Sequence, residues 1–300
     1  MEKKYQIELL AGGPDYIKTP DDFFKIPFVM LSVAKRMSGK TCSMSQFLHL
    51  LNKIGTLDRV ILISPTYMNN AHYFKGLPLD EEHDVLEPTL DVAQRVMDIL
   101  DEEALVYDEY HEKLKKWKEL QKILKGRTPI DLIDENLLLF FSDVMEKPKH
   151  KYNGRKPVIV AFWDDCQNTE AFSPSKYNRL NYLTIKHRHL GMTAHDKSIG
   201  CNLMFACQNY TSNTGGIPKT IRGNTTILCI FSNKNQKELD LIAEECSGEV
   251  DVDTFKVVHA KATESDYGFL TIDFNRKKEH KSPFRKCWNE WIFVEELKTQ

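Results

Sequence analysis

A chain of 300 residues is long enough to bury one large core or two modest ones. With 41% hydrophobic and 28% charged residues, and only 14 Gly and 12 Pro, it is neither collagenous, low-complexity nor wholly disordered. The formal net charge of −2 conceals segregation: Asp80–Glu109 is net −11, whereas Tyr110–Arg127, Met145–Lys156 and Asn275–Cys287 are net +5, +4 and +5.

Residues 1–25 carry no clear periodicity, and Gly12-Gly13-Pro14 and Pro20 mark turns. The start, Met1 to Tyr5, lacks the apolar stretch of a signal peptide, so secretion is not expected. The longest apolar runs, around Asn136–Phe141 and Thr225–Phe231, are strand-sized, so no transmembrane helix is expected either. Seven cysteines, with no CxxC pair, point to reduced thiols in a cytosol-like compartment and not to a disulfide framework or zinc site.

The first strong element is a buried strand over Pro27–Val33, which runs into Ala34-Lys35-Arg36-Met37-Ser38-Gly39-Lys40-Thr41. A helix follows, with Met44, Phe47, Leu48, Leu51 and Ile54 on one face and Gly55 as its stop. A second strand is predicted over Arg59–Ser64. The stretch from about Asn69 to Gly154 differs in kind: an acidic run, then a helical pattern (Tyr110, Leu114, Trp117, Leu120, Leu124), then a basic linker, which together suggest a mainly helical insertion. Buried strands return at Pro157–Trp163, Asn202–Cys207 and Thr225–Phe231, with a short helix over Glu238–Glu245. Phe255–Ala260 and Tyr267–Phe274 suit a hairpin or edge strands, and 246–300 ends in a basic tail that either completes the same domain or forms a small docking unit. Five apolar strands with helical crossovers predict an α/β fold with a mostly parallel sheet flanked by helices: one domain over 26–245 that carries the helical insertion, preceded by an N-terminal extension over 1–25.

The strand–AKRMSGKT–helix unit is the signature of a phosphate loop, in which backbone N–H groups turn inward on a polyanion at the positive end of a helix. Ala34 through Cys42 would form the cradle, Gly39 allowing close approach, Lys40 reaching the β/γ-phosphates and Thr41 offering its hydroxyl to Mg²⁺. Ala34 stands where the usual motif has Gly. At the tip of the strand ending in Trp163, Asp164 would orient the metal and Asp165 polarise the attacking water. Gln208, at the end of the next strand, would sense the γ-phosphate or position water. Arg188 and Arg222 are candidates for an arginine finger acting in trans, with a backbone-phosphate contact or a surface ion pair as the plain alternative. The histidines His187, His189 and His195 lack the spacing of a metal site, because Arg188 intervenes and no carboxylate or Cys matches.

In this combination the chain resembles the FtsK–HerA superfamily, in particular the poxvirus-type genome-packaging ATPases of large DNA viruses, virophages and related elements. The resemblance rests on Lys35 to Thr41, on Phe162-Trp163-Asp164-Asp165, on Arg188-His189-Leu190-Gly191, on Gln208-Asn209-Tyr210 and on Ile221-Arg222-Gly223-Asn224, and covers about 25–245. It implies a P-loop (RecA-like, ASCE) fold and a ring of subunits that hydrolyses ATP with Mg²⁺ while moving double-stranded DNA into a preformed capsid. The implied partners are double-stranded DNA and capsid portal or vertex proteins, in the host-cell cytoplasm, a viral factory or the virion. The long insertion departs from the family pattern.

Three other readings compete. A kinase acting on a small substrate would use the basic Tyr110–Arg127 segment as its lid. A GTPase-like switch would read guanine with Asn233-Lys234-Asn235-Gln236, although Gln236 replaces the required acid and Gln167 the required Gly. A non-enzymatic protein with a relic loop would have no reason to keep the lysine, the hydroxyl and both acids together.

Overall fold

The computed structural model describes residues 19–126, 139, 146–194, 198–211 and 216–294. The apolar run 136–141 falls outside them except for Leu139, as does His195.

The chain opens with β1 (Val29–Val33), buried at every position, which leads through the phosphate-loop sequence into α1 (Lys40–Lys53). Helix α1 buries Met44, Phe47, Leu48 and Leu51, the stripe its periodicity demands. It ends where Gly55 adopts φ +73°, so that Gly55 N–H donates to Asn52 O and Thr56 N–H to Leu51 O, closing the last turn. Then come β2 (Arg59–Ile63), the short α2 (Tyr67–Asn70), β3 (Val85–Leu86), the 34-residue α3 (Val92–Lys125) and β4 (Ile159–Asp164). Next are α4 (Leu180–Lys186), β5 (Asn202–Cys207), α5 (Lys219–Asn224), β6 (Ile227–Phe231), α6 (Gln236–Glu245) and α7 (Val252–Ala262). Strands β7 (Phe269–Asp273), β8 (Phe284–Lys286) and β9 (Glu290–Trp291) close the described chain.

Among the described residues these strands form one sheet in the order β3-β2-β4-β5-β1-β6-β7-β8-β9. From β3 to β6 all pairings are parallel, and β7, β8 and β9 add antiparallel strands at one edge. Both faces are covered, as a largely parallel sheet requires. Strand β4 sends Ile159, Ala161 and Trp163 into the core under the first half of α3, and Val160 and Phe162 into the core under α1. The expected mostly parallel α/β sheet is therefore the observed one. No helix among the described residues is long and apolar enough to cross a membrane.

Two expectations need correction. Residues 255–260 are not a strand: they lie within α7, where Phe255, Val258, His259 and Ala262 are buried at helical spacing and Asp251 caps the start by accepting from Thr254 N–H. The adjacent valines carry strand propensity, but Val257 is half exposed and only the helical stripe is buried. Strand β7 accordingly pairs with β6, not with 255–260. In the stretch taken as an insertion, β3 pairs with β2, and Val92, Ala93, Val96, Met97, Ile99 and Leu100 sit in the main core. The boundary between sheet layer and protruding segment thus falls inside α3. At about 1.5 Å per residue α3 spans roughly 50 Å, and no residue of its basic second half belongs to either core cluster.

Residues 19–25 pack on the domain. Phe24 is fully buried, and Phe47 of α1 meets Phe23, Phe24, Phe28 and Trp288 with ring centroids 4.7 to 5.6 Å apart. One ring thus joins the N-terminal segment, α1, β1 and the β8–β9 turn. Phe47→Ala is expected to lower the unfolding free energy by about 4 kcal/mol, read as a shift of the urea midpoint with little change in slope.

Candidate active site

The parallel register brings three strand ends side by side: Val33 of β1 pairs with Cys207 of β5, and Ala206 of β5 with Asp164 of β4. Ala34 continues β1 by donating its N–H to Cys207 O at 3.0 Å and is absent from the positive-φ positions. The backbone there is one that any residue adopts, which explains why alanine serves where glycine is usual.

The loop then turns. Met37 (φ +61°) and Gly39 (φ +81°) are left-handed, an alternation that directs N–H groups inward, and Ser38 Oγ braces the turn by donating to Lys35 O at 2.7 Å. No side chain caps α1 and no acid lies in its first turn, so its positive pole is left open to an anion. Lys40 is buried, with its Nζ 2.5 Å from Asp165 Oδ1. Thr41 Oγ1 lies 3.0 Å from both Oδ1 and Oδ2 of Asp164. Arg36 and Met37 are exposed, while Lys35 and Cys42 are half-buried at the rim.

Asp164 is fully buried, and burial pushes its pKa up to about 6; Asp165 adds to the rise, while Lys40 and the Thr41 hydroxyl oppose it. Asp165 follows the strand at φ +53°, a turn that aspartate tolerates and that swings its carboxylate back toward Lys40. Gln208 Nε2 reaches the same Oδ1 at 3.4 Å. Burial also raises Cys207, to about 12, and Cys166 further, so both remain neutral thiols behind the acids.

Lys40, Thr41, Asp164, Asp165 and Gln208 therefore converge, as the sequence predicts, but the two arginines do not join them. Arg188 is exposed in the turn after α4, beside His187, whose carbonyl accepts from Cys201 N–H just before β5 begins, and so lies at the end of the sheet opposite the loop. Arg222 is largely buried in its own subunit, 3.1 Å from Glu245 and over the ring of Tyr210 at 5.0 Å. His187 is buried with its Nδ1–H donating to Cys201 O at 2.8 Å, and burial lowers its pKa to about 4, which makes it a neutral packing group.

Thr41 and Asp164 offer hydroxyl and carboxylate oxygens to one point beside Lys40, the hard-oxygen donor set that suits Mg²⁺ with most of its waters retained. Among the described residues no group of three His, Cys, Asp or Glu side chains forms a metal cage, and Thr41 and Asp164 are the two that would hold such an ion together with the substrate.

Three participants escape sequence reasoning. Gln167 Oε1 accepts from the N–H of Gln208 (2.6 Å) and of Asn209 (3.0 Å), and its Nε2 donates to Asn209 O (2.7 Å), locking the turn after β4 to the turn after β5. Glu238, buried in the first turn of α6, accepts from Lys35 Nζ, Tyr210 N–H and Asn233 Nδ2. Tyr267 lies against Gly39, where an added Cβ would fall 2.9 Å from its Cδ1. A glutamate three residues after Asn235, itself the N-cap of α6, reads as ordinary capping, and nothing local marks the other two.

No protein-family model and no curated protein matches the chain. Among solved structures, it is similar to the genome-packaging NTPase B204 of Sulfolobus turreted icosahedral virus 2, at 13% identity over 89% of this chain and 98% of that one, with a TM-score of 0.42. It is also similar to the DNA-packaging ATPase B204 of Sulfolobus turreted icosahedral virus, at 12% identity over 89% and 99%, TM-score 0.42. A third likeness is to the pCW3 conjugation coupling protein TcpA, at 14% identity over 92% and 66%, TM-score 0.43. Each of these is a loose likeness.

The buried Asp164 has a thermodynamic signature. Its folded-state pKa of about 6 exceeds the ordinary 3.8, so its ionisation costs stability fully above pH 6 and not at all below pH 3.8. Asp164→Asn should therefore stabilise the nucleotide-free protein by about 2–3 kcal/mol at pH 7.5, with the gain shrinking toward zero at pH 4, as measured by urea unfolding at both pH values.

Proposed function

We propose that the chain is an ATP-hydrolysing motor of the FtsK–HerA type that moves double-stranded DNA, working as a homo-oligomeric ring against the portal or vertex proteins of a viral capsid. The observation that carries the hydrolytic part is the convergence of Lys40 and Gln208 on one oxygen of Asp165 at the open pole of α1.

A triphosphate entering the loop offers Lys40 a second partner, and the 2.5 Å contact to Asp165 must then loosen. Its release frees the Asp165 carboxylate to accept a proton from a water aimed at the γ-phosphate. Gln208, whose backbone is pinned by Gln167, would hold that water or register the γ-phosphate. Thr41 and Asp164 would hold Mg²⁺, which when bound neutralises charge on the β- and γ-phosphate oxygens. Two neighbouring acids and an amide suit water as the acceptor better than a second substrate. Guanine reading is disfavoured because Asn233 is committed to Glu238.

What supports a ring is Arg188, which is exposed at the end of the sheet opposite its own loop and would be available to a neighbouring subunit. For DNA, the basic segments are not equal. In the C-terminal one Arg285 lies buried against the rings of Phe24 and Trp291, Lys277 donates to Thr19 O, and Arg276 and Lys286 pair with Glu249 and Glu264. In the linker, Arg155 pairs with Asp58. On α3, by contrast, Lys115, Lys118, Lys122 and Lys125 are exposed, and they are the preferred sequence-independent phosphate contacts. This reading places the protein in the host-cell cytoplasm, a viral factory or the virion.

The test is phosphate release from Mg²⁺-ATP with and without long double-stranded DNA. We expect stimulation by DNA that fades between 50 and 200 mM salt. Lys40→Ala and Asp165→Asn should each lose about a hundredfold or more of the stimulated rate. Hydrolysis indifferent to DNA across the salt range would refute the motor, and phosphate appearing on an acceptor before free phosphate would favour a kinase.

A further inference from the structure

The phosphate loop has two flanks. On one, β5 and β4 bring Gln208, Asp165 and Asp164, the groups that address the terminal phosphate. On the other, β6 and then β7 follow β1 in the sheet, and the turn that enters β7 carries Tyr267. Its ring lies against the loop at Gly39, 2.9 Å (Cδ1) and 3.5 Å (Cγ) from where a Cβ would stand, yet the residue is 68% exposed. Tyr267 belongs to neither core cluster. It also adopts φ +61°, an outlier for a bulky aromatic residue. The next residue, Gly268, is crowded by Ala262 O and by Ser265, so the turn holds the ring where it is. An exposed aromatic kept at an unfavourable backbone angle beside a ligand loop is not explained by packing.

We propose that Tyr267 is the platform on which the base of the bound nucleotide stacks. The inference rests on the nucleotide reading of the loop. If the γ-phosphate sits on the β4–β5 flank with Lys40 and Asp165, the α-phosphate and nucleoside leave the cradle across the first turn of α1, toward the β7 flank where the ring waits. Stacking accepts any base through its π-face, so this site favours purine over pyrimidine nucleotides and separates adenine from guanine only weakly. It also gives Gly39 a second reason to be glycine: its left-handed φ and the room the ring needs.

The experiment measures equilibrium binding of ATP, CTP and inorganic tripolyphosphate, without hydrolysis, to the wild type and to Tyr267→Phe, Tyr267→Leu and Tyr267→Ala. The expected result is ATP bound more tightly than CTP and tripolyphosphate by the wild type and the Phe variant. ATP affinity should fall about tenfold in the Leu and Ala variants, with tripolyphosphate affinity unchanged. The Leu variant keeps bulk against Gly39, so a loss confined to ATP reports stacking and not collapse of the loop. Unchanged ATP affinity in the Leu variant, or equal losses for ATP and tripolyphosphate, would overturn the role of Tyr267 and leave the phosphate loop standing. A wild type that binds none of the three would overturn the nucleotide reading itself, and this proposal with it.

Discussion

With β5 hydrogen-bonded to β1 on one side and to β4 on the other, the acids of β4 stand two strand spacings from the phosphate loop, about 10 Å between backbones. That gap sets the geometry of the whole site. It is wide enough for a polyphosphate to lie between the loop and Asp165, and narrow enough for the Lys40 side chain to bridge it when nothing does. The intervening strand places Gln208 in the middle of the gap. Had β4 paired directly with β1, the acids would crowd the loop, and no residue would stand between lysine and carboxylate.

Such a site is costly to fold. Lys40, Asp164 and Glu238 are each buried, and each is satisfied by a partner on a different element: Lys40 by Asp165, Asp164 by Thr41, Glu238 by the turns after β5 and β6. Asp164 is the least well compensated, which is why burial dominates its pKa. The expense is local, and the surrounding apolar strands carry it: β1, β4, β5 and β6 are buried at every position. A rigid apolar sheet under a strained polar rim is how a fold holds charges apart that would otherwise neutralise one another.

Five of the six parallel strands were legible because each is a short unbroken apolar run, whereas the two-residue β3 was not, and the phosphate loop was legible because its residues are contiguous. Asp164, Asp165 and Gln208 were legible because strand ends announce themselves where an apolar run meets polar residues. What local pattern could not carry was contact across the sheet. Glu238 meets Lys35 across 203 residues and Tyr267 meets Gly39 across a comparable span, so neither has a signature in its own neighbourhood. Helix α7 failed for the opposite reason: Val257-Val258 is a local strand signal that the tertiary burial of Phe255, Val258 and Ala262 overrides. The edge of the protruding segment was hidden because charge and periodicity change at different points: acids run to Glu109, whereas core packing stops near Leu100.

That mismatch has a mechanical meaning. About a third of the way along, α3 is bolted to the sheet, with Arg59 of β2 held between Asp84 and Glu103 at 2.7 and 2.8 Å. The turn that follows Arg188 is fastened to the same helix. Gly191 lies so close to Leu100 O that a Cβ would fall 2.6 Å from it, and Ala194 N–H donates to Asp108 Oδ2 at 2.7 Å. The turn that follows Arg188 and the exposed lysines of the second half of α3 are therefore carried by one helix. A helix does not kink sharply without a proline, a glycine pair or an inserted group, and α3 contains none of the first two from Val92 to Lys125. Were the proposed ring to form, a neighbour that gripped Arg188 on binding nucleotide and released it on hydrolysis would move the lysine-bearing half of α3 with it. Such coupling would need no hinge between site and helix, only a subunit interface that changed with the state of the phosphate.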